Sequence, residues 1–325
     1  MSEIKGVDVV GMGHAIMDII VSVADRFLTD RRLVKGSMQL MDAYQTRKLY
    51  ADLPVGQASS GGSAANTIAT LALCGANTRF IGKVHDDRLG ELFIKDLNQL
   101  NVKFPLSATE AALETARSMI MVTPDAQRTM ATFLGAAGLL TPNDIHPSFI
   151  EDAAILYLEG YLWDRPDAIS AMRRAIDIAK RSNTCVAFTL SDAFCVERHH
   201  SAFMQLMSAG EVDILFANEQ EIKTLCGVNH WEDVRPALLP NLASLYVVTR
   251  GPLGAVVMDQ TGWKTVPALA NVKPVDTTGA GDAFAAGFLY GYTQSWSHER
   301  SAAYGCHLAG HVIQHVGARL SHLPS

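Results

Sequence analysis

The chain is expected to fold as an α/β protein on a doubly wound, mostly parallel sheet flanked by helices, and three observations point there. Short β-branched or aliphatic runs recur at 7–10, 155–158, 186–190, 212–217 and 245–249, each followed by a longer segment of helical period, the alternation that builds parallel sheets. Two helical segments open at small, flexible loops: 64–74 carries Ile68, Leu71 and Ala72 at helical spacing and stops at Gly75, and 283–292 follows a glycine turn. With 325 residues, 48% hydrophobic and 18% charged, the chain has ample apolar content for one large core or two smaller ones.

Two stretches fit the crossover pattern poorly, 16–41 and 116–135. Within the second, 118–123 and 128–134 read as paired strands around Pro124-Asp125. Together they are expected to form a small β lid on a single α/β domain spanning 1–325. No fixed-period repeat or low-complexity tract calls for a solenoid or a linker.

The formal charge of −6 arises from 27 basic and 33 acidic residues with no block of like sign, which leaves no footprint for nucleic acid or anionic lipid and favours a small-molecule partner. Five cysteines, at 74, 185, 195, 226 and 306, are scattered and never paired at metal or redox spacing, so they read as reduced cytosolic thiols and a cytoplasmic location is expected. The first residues show no charged-then-apolar leader pattern. No run of eighteen uncharged apolar residues occurs, so no membrane partner or span is expected.

The segment Asp276-Thr277-Thr278-Gly279-Ala280-Gly281-Asp282 carries the chemistry. An extended stretch through Pro274 and Val275 runs into Gly279-Ala280-Gly281, which opens a helix containing Phe284, Phe288 and Leu289. The free N–H groups and dipole of a helix start suit a phosphate-sized anion, and glycines permit close backbone approach. Phosphoryl transfer needs chiefly positioning, charge stabilisation and one carboxylate to accept the proton of the attacking hydroxyl, and Asp282 is placed for that task. A bare Gly-Ala-Gly-Asp is equally a plain glycine loop with an acidic first helical turn.

The full heptapeptide is more specific. It closely resembles the signature of the ribokinase-type, or pfkB-type, carbohydrate kinases, and within that family the adenosine kinases. The resemblance implies a ribokinase-like fold and transfer of a phosphoryl group from ATP to a primary hydroxyl, with Asp282 as base, Gly279, Ala280 and Gly281 as anion hole, and Mg2+ as required ion. Gly61-Gly62-Ser63-Ala64-Ala65-Asn66 is similar to the family's acceptor-site glycine pair, which implies acceptor contacts for Gly61, Gly62 and Asn66, although a helix start capped by Ser63 explains the same residues. The stretch 11–18 resembles the N-terminal strand end whose aspartate, here Asp18, grips two adjacent sugar hydroxyls. His14 stands where adenosine kinases usually carry asparagine.

By the same resemblance, Asn218 and Glu221 match an Asn-x-x-Glu element that places magnesium, often through water, and the ATP phosphates. Asn218 capping a helix with an acidic first turn is the simpler explanation of that pattern. Thr249 and Gly251 match residues beside the nucleotide, Arg128 a lid arginine that reaches the transferring phosphate, and Tyr161 and Phe194 base-side aromatics. His307, His311 and His315 share one helical face without a completing carboxylate, and no Walker loop, dinucleotide fingerprint or nucleophile elbow occurs. The expected activity is phosphorylation of adenosine at its 5′ hydroxyl by a monomer or homodimer. The alternatives are another nucleoside or a free sugar as acceptor, or a non-catalytic nucleoside-binding protein of the same fold.

Overall fold

The computed structural model describes residues 5–104, 113–125, 127–238 and 243–324. The first four residues of the chain and residue 126 of the expected lid therefore lie outside it. The strands are β1 (Val7–Met12), β2 (Ile16–Ser22), β3 (Met38–Leu40), β4 (Gln57–Gly61), β5 (Thr78–Ile81), β6 (Val102–Lys103), β7 (Ala116–Val122), β8 (Arg128–Phe133), β9 (Ala153–Glu159), β10 (Cys185–Thr189), β11 (Ile214–Asn218), β12 (Leu245–Thr249), β13 (Ala255–Asp259) and β14 (Gly262–Val266). They form two sheets, one in the order β14-β13-β12-β11-β10-β9-β1-β5-β6 and one in the order β3-β8-β7-β2-β4.

The larger sheet is parallel from β6 through β12. Its strands are apolar at successive positions because both faces are covered. Val10, Leu156, Val186 and Leu215 point to one side, where they pack with Met172 and Ala175 of the Pro166–Arg181 helix and Phe203 of the Ala193–Ser208 helix. Their neighbours Val9, Ile155, Ala187 and Ile214 point to the other, against Ile68 of the Ser63–Leu73 helix and Phe288 of the Ala280–Thr293 helix. Tyr157, Phe216 and Phe288 pack edge to face along that second layer, with centroids 5.9 and 5.6 Å apart. The run 212–217 begins its strand two residues later than the apolar pattern does, and the sheet ends in an antiparallel β12-β13-β14 hairpin edge that the pattern did not announce.

The smaller sheet contains the expected antiparallel β7–β8 pair, with β2 parallel to β7. It also recruits β4, which lies outside the expected lid segments and pairs antiparallel with β2. Ile19, Val21, Met119 and Met121 form its core on one face, with Leu28 and Leu49 from the Asp25–Asp30 and Ala43–Asp52 helices. Strand alternation therefore turns Asp18, between Met17 and Ile19, to the opposite face.

All five cysteines are free thiols. Among the described residues no helix is long and apolar enough to cross a membrane. Phe288 is fully buried between sheet and helix layers, so Phe288→Ala is expected to destabilise the chain by about 3–5 kcal/mol, read from the shift of the urea unfolding midpoint.

Candidate active site

The C-terminal ends of the parallel strands converge on one rim, as ligand sites of open α/β sheets do. β1 delivers His14, β9 ends at Glu159, β11 at Asn218 and β12 at Thr249. Facing them are the starts of two helices, Ser63–Leu73 and Ala280–Thr293.

Those two helix starts meet through Asp282. Ser63 Oγ donates to its Oδ1 at 2.7 Å and Asn66 Nδ2 donates to its Oδ2 at 3.1 Å. The cap of the Ser63–Leu73 helix is Gly62, at φ 97°, and no side chain caps it. The Ser63 hydroxyl instead serves Asp282. A Cβ on Gly62 would run into the carbonyl of His14, and one on Gly61 into the Asp18 carboxylate, so Gly62 answers to the backbone just before β2 and Gly61 to a side chain of β2.

Burial pushes the Asp282 carboxyl up to about 6 against the lowering effect of its two donors, with the charge of Glu159 adding to the rise and Arg319 opposing it. Asp18 is pushed further, to about 7, by burial, with Asp282 raising it and Arg319 and Arg128 pulling it down. The two carboxyls therefore lie within each other's field and compete for negative charge.

Glu159 is buried and joins three elements. It accepts from the backbone N–H of His14 at 2.7 Å and of Ala64 at 2.9 Å, and its Oε1 lies 3.2 Å from His14 Nδ1. His14 is buried as well, and its Nε2 has no partner among the described residues. A carboxylate closing an apolar run at 155–158 was the available sign for Glu159 in the sequence. Gly13 is glycine because the Glu159 carboxylate occupies the space a Cβ would take.

Arg128 reaches from lid strand β8 to the heptapeptide. Its Nη1 donates to Thr278 Oγ1 at 2.7 Å and its Nη2 pairs with Asp276. Asp276 is buried and also accepts from the N–H groups of Thr278 at 3.0 Å and Gly317 at 2.7 Å. Gly279, at φ 76°, caps the following helix and backs onto the carbonyl of Ala318, so the C-terminal segment braces the glycine turn. The helix starts at Ala280, three residues before the apolar pattern placed it.

A cavity of about 280 Å³ lies between the strand ends and this turn, lined by Tyr161, Asn218, Glu221, Thr249, Gly279, Ala280, Gly281 and Asp282 among others. Asn218 and Glu221 form a reciprocal cap, with Glu221 N–H donating to Asn218 Oδ1 and Asn218 N–H to Glu221 Oε2, both at 2.9 Å. Burial pushes the Glu221 carboxyl up to about 7, moderated by its hydrogen bonds from Asn218. Tyr161 Oη donates to the Ser191 carbonyl at 3.3 Å. Thr249 Oγ1 donates to the Ala217 carbonyl at 3.5 Å, Gly251 begins the next turn at φ 54° outside the cavity wall, and Phe194 is exposed at the start of its helix. Phe194 thus stands apart from the groups that converge on Asp282.

Arg319 was not apparent from the sequence, where it is an isolated basic residue after Gly317-Ala318. Its side chain is largely covered, and it donates from Nε to Asn66 Oδ1 and from Nη1 to Ser60 Oγ, each at 2.8 Å.

A doubly wound sheet with a β lid, and a glycine turn opening a helix beside a caged carboxylate, define the class of small-molecule phosphotransferases. The chain belongs to the pfkB family of carbohydrate kinases, whose family model matches residues 45–325. It is similar to the crystal structure of adenosine kinase from Sinorhizobium meliloti, with 41% identity, TM-score 0.89 and coverage of 97% of this chain and 96% of that one. A probable sugar kinase from Rhizobium etli is similar at 40% identity and TM-score 0.89, covering 98% and 96%. The adenosine kinase of Saccharomyces cerevisiae is 27% identical over 94% of each chain. The ribokinase-like fold and a kinase activity on a small molecule, with ATP as co-substrate, follow from this membership.

Replacing Arg128 by alanine leaves the Asp276 carboxylate with only its two backbone donors. The variant is expected to lose about 3 kcal/mol of stability by denaturant titration, the lower end of the cost of breaking a buried ion pair.

Proposed function

We propose that the chain transfers the γ-phosphate of ATP to the 5′ hydroxyl of adenosine, giving AMP, with Asp282 as the general base. The observation that carries this reading is the Asp282 carboxylate itself. It sits at a helix start, held by Ser63 and Asn66, between the cavity at the strand ends and the face of the lid sheet that bears Asp18.

A primary hydroxyl placed against Asp282 gives up its proton to a carboxylate whose orientation is already set, and its oxygen forms the new bond to phosphorus as the bond to the β-phosphate oxygen breaks. The N–H groups of Gly279 and Gly281 are assigned to the charge that develops on the transferring group, while the Ala280 N–H, the third expected donor, donates to the Thr277 carbonyl at 3.2 Å and so closes the turn. Asp18, on the acceptor side, takes two adjacent ribose hydroxyls through its two oxygens, and Gly61 gives the backbone room beside it. The buried, unpartnered Nε2 of His14 offers an acceptor group one hydrogen bond that asparagine would offer elsewhere in the family.

On the nucleotide side, Thr249 and Gly251 flank the phosphates. Tyr161 and Phe194 are assigned to the purine of the acceptor, Phe194 by a swing of its exposed ring. Among the described residues no three His, Cys, Asp or Glu side chains converge on a metal-sized site. Mg2+ would therefore be held mainly by phosphate oxygens and water, with Glu221 and Asn218 touching its water shell, and would supply neutralisation of the phosphate charge. Arg128 bridges lid and turn, and closure of the lid over the acceptor would keep water from the phosphoryl group.

A free sugar as acceptor is the second reading, favoured by His14 and by the similar chain described as a probable sugar kinase. Steady-state turnover of adenosine against other nucleosides and free sugars separates the two, and a higher kcat/KM for a free sugar would overturn adenosine.

Asp282→Asn is expected to lower kcat on the order of a hundredfold or more while adenosine binding by calorimetry stays largely intact. Unchanged turnover would remove Asp282 as the base. Both working carboxylates act ionised and both are raised by burial, so kcat/KM should fall as the pH drops through about 6 to 7 and hold level above. A profile flat down to pH 5 would contradict this assignment.

A further inference from the structure

We infer that Arg319 is a positioning residue for the phosphoryl transfer, acting on Asp282 through the amide of Asn66. The inference rests on the reading of Asp282 as the base and adds to it the group that sets the base's geometry and charge.

The Asn66 amide lies between a group that can only donate and one that, when ionised, can only accept. Arg319 Nε donates to Asn66 Oδ1 at 2.8 Å, and Asn66 Nδ2 donates to Asp282 Oδ2 at 3.1 Å. A rotated amide would set its NH2 against the guanidinium and its oxygen against the carboxylate, so only one orientation satisfies both neighbours. Arg319 thereby selects the orientation in which Asn66 fixes the base.

The guanidinium is itself held. Nη1 donates to Ser60 Oγ at 2.8 Å and lies 3.6 Å from Asp96 Oδ2, and Asp96 also accepts from the Ser60 N–H at 2.9 Å. Strand β4, the Arg88–Gln99 helix and the C-terminal segment thus meet at one side chain. Nη2 is buried with no partner among the described residues. Leaving such a donor unmet is costly, which fits a group kept for the acceptor side better than a purely structural tie.

The charges around Asp282 come from every element packed on it. Glu159 on β9 disfavours its ionised form, Asp18 on β2 shares its field, Tyr157 on β9 stays a neutral phenol beside it, and Arg319 is the cation that acts directly on it. The Ser63–Leu73 helix contributes only the neutral donors Ser63 and Asn66. Removing the guanidinium leaves the carboxyls facing one another, which raises the pH at which they ionise.

The test uses Arg319→Ala, Arg319→Lys and Asp282→Asn in the full chain, with kcat and kcat/KM measured against pH and folding checked by thermal melting. Arg319→Ala should lower kcat by roughly tenfold or more, leave KM for ATP within about twofold, and move the acidic limb to higher pH by about half a unit or more. Arg319→Lys keeps the charge without the fork that grips Asn66 and Ser60, so it should keep the limb near the wild-type position while kcat stays low. It also stands in should the alanine variant fail to fold, wild-type kcat in the lysine variant then overturning the inference. An unmoved limb in folded Arg319→Ala, with or without a fall in kcat, overturns it too, since a structural role would lower the melting temperature alone. Full activity in Asp282→Asn would instead fault the assignment of the base, so the two failures are distinguishable.

Discussion

Three carboxylates lie close together at the meeting of the two sheets, and the rest of the site is arranged around that constraint. Asp18, Glu159 and Asp282 come from different elements, and Asp18 and Asp282, both raised by burial and by a neighbouring carboxylate, depend on donors or a cation to hold their negative charge. Glu159 takes two backbone N–H groups and faces His14. Asp282 takes Ser63 and Asn66. Asp18 has, among the described residues, the field of Arg319 and Arg128 instead of close donors, and it is pushed further up than Asp282. In the proposed function a ligand that donates two hydroxyls to Asp18 would relieve that position and so couple its binding to ionisation there.

The same constraint explains why three separate segments carry glycine at close approaches. Gly13 makes room for Glu159, Gly61 for Asp18, and Gly279 for the C-terminal segment. A side chain at Gly13 would push Glu159 off its donors, one at Gly61 would displace the Asp18 carboxylate, and one at Gly279 would run into the Ala318 backbone. The lid enters through Arg128, whose hold on Asp276 and Thr278 ties a strand of the smaller sheet to the glycine turn.

Much of this was legible in the sequence where local pattern and local chemistry agree. The five apolar runs became neighbouring parallel strands because residues apolar at every position need both faces covered. The Asn218–Glu221 spacing is a helix cap, and both residues also line the cavity. β4 escaped notice because Gln57-Ala58-Ser59-Ser60-Gly61 has no apolar alternation, and it becomes a strand only by pairing with β2. Arg319 escaped because its partners, Asn66 and Ser60, lie more than 250 residues away, and no local period encodes such a contact. Phe194 shows the reverse case: an aromatic in a recognisable segment stands exposed, since the Ser191 backbone at φ 75° turns the chain just before its helix begins.

The central claim is that Asp282, and no other carboxylate of the cluster, faces the hydroxyl that is phosphorylated. A crystal structure of the chain with adenosine and a non-hydrolysable ATP analogue tests it most directly. The 5′ oxygen is expected within about 3 Å of the Asp282 carboxylate, the distance a general base requires, with the ribose diol on Asp18. A 5′ hydroxyl directed at Asp18 or Asp276, with Asp282 still closed on Ser63 and Asn66 and out of reach, would contradict it.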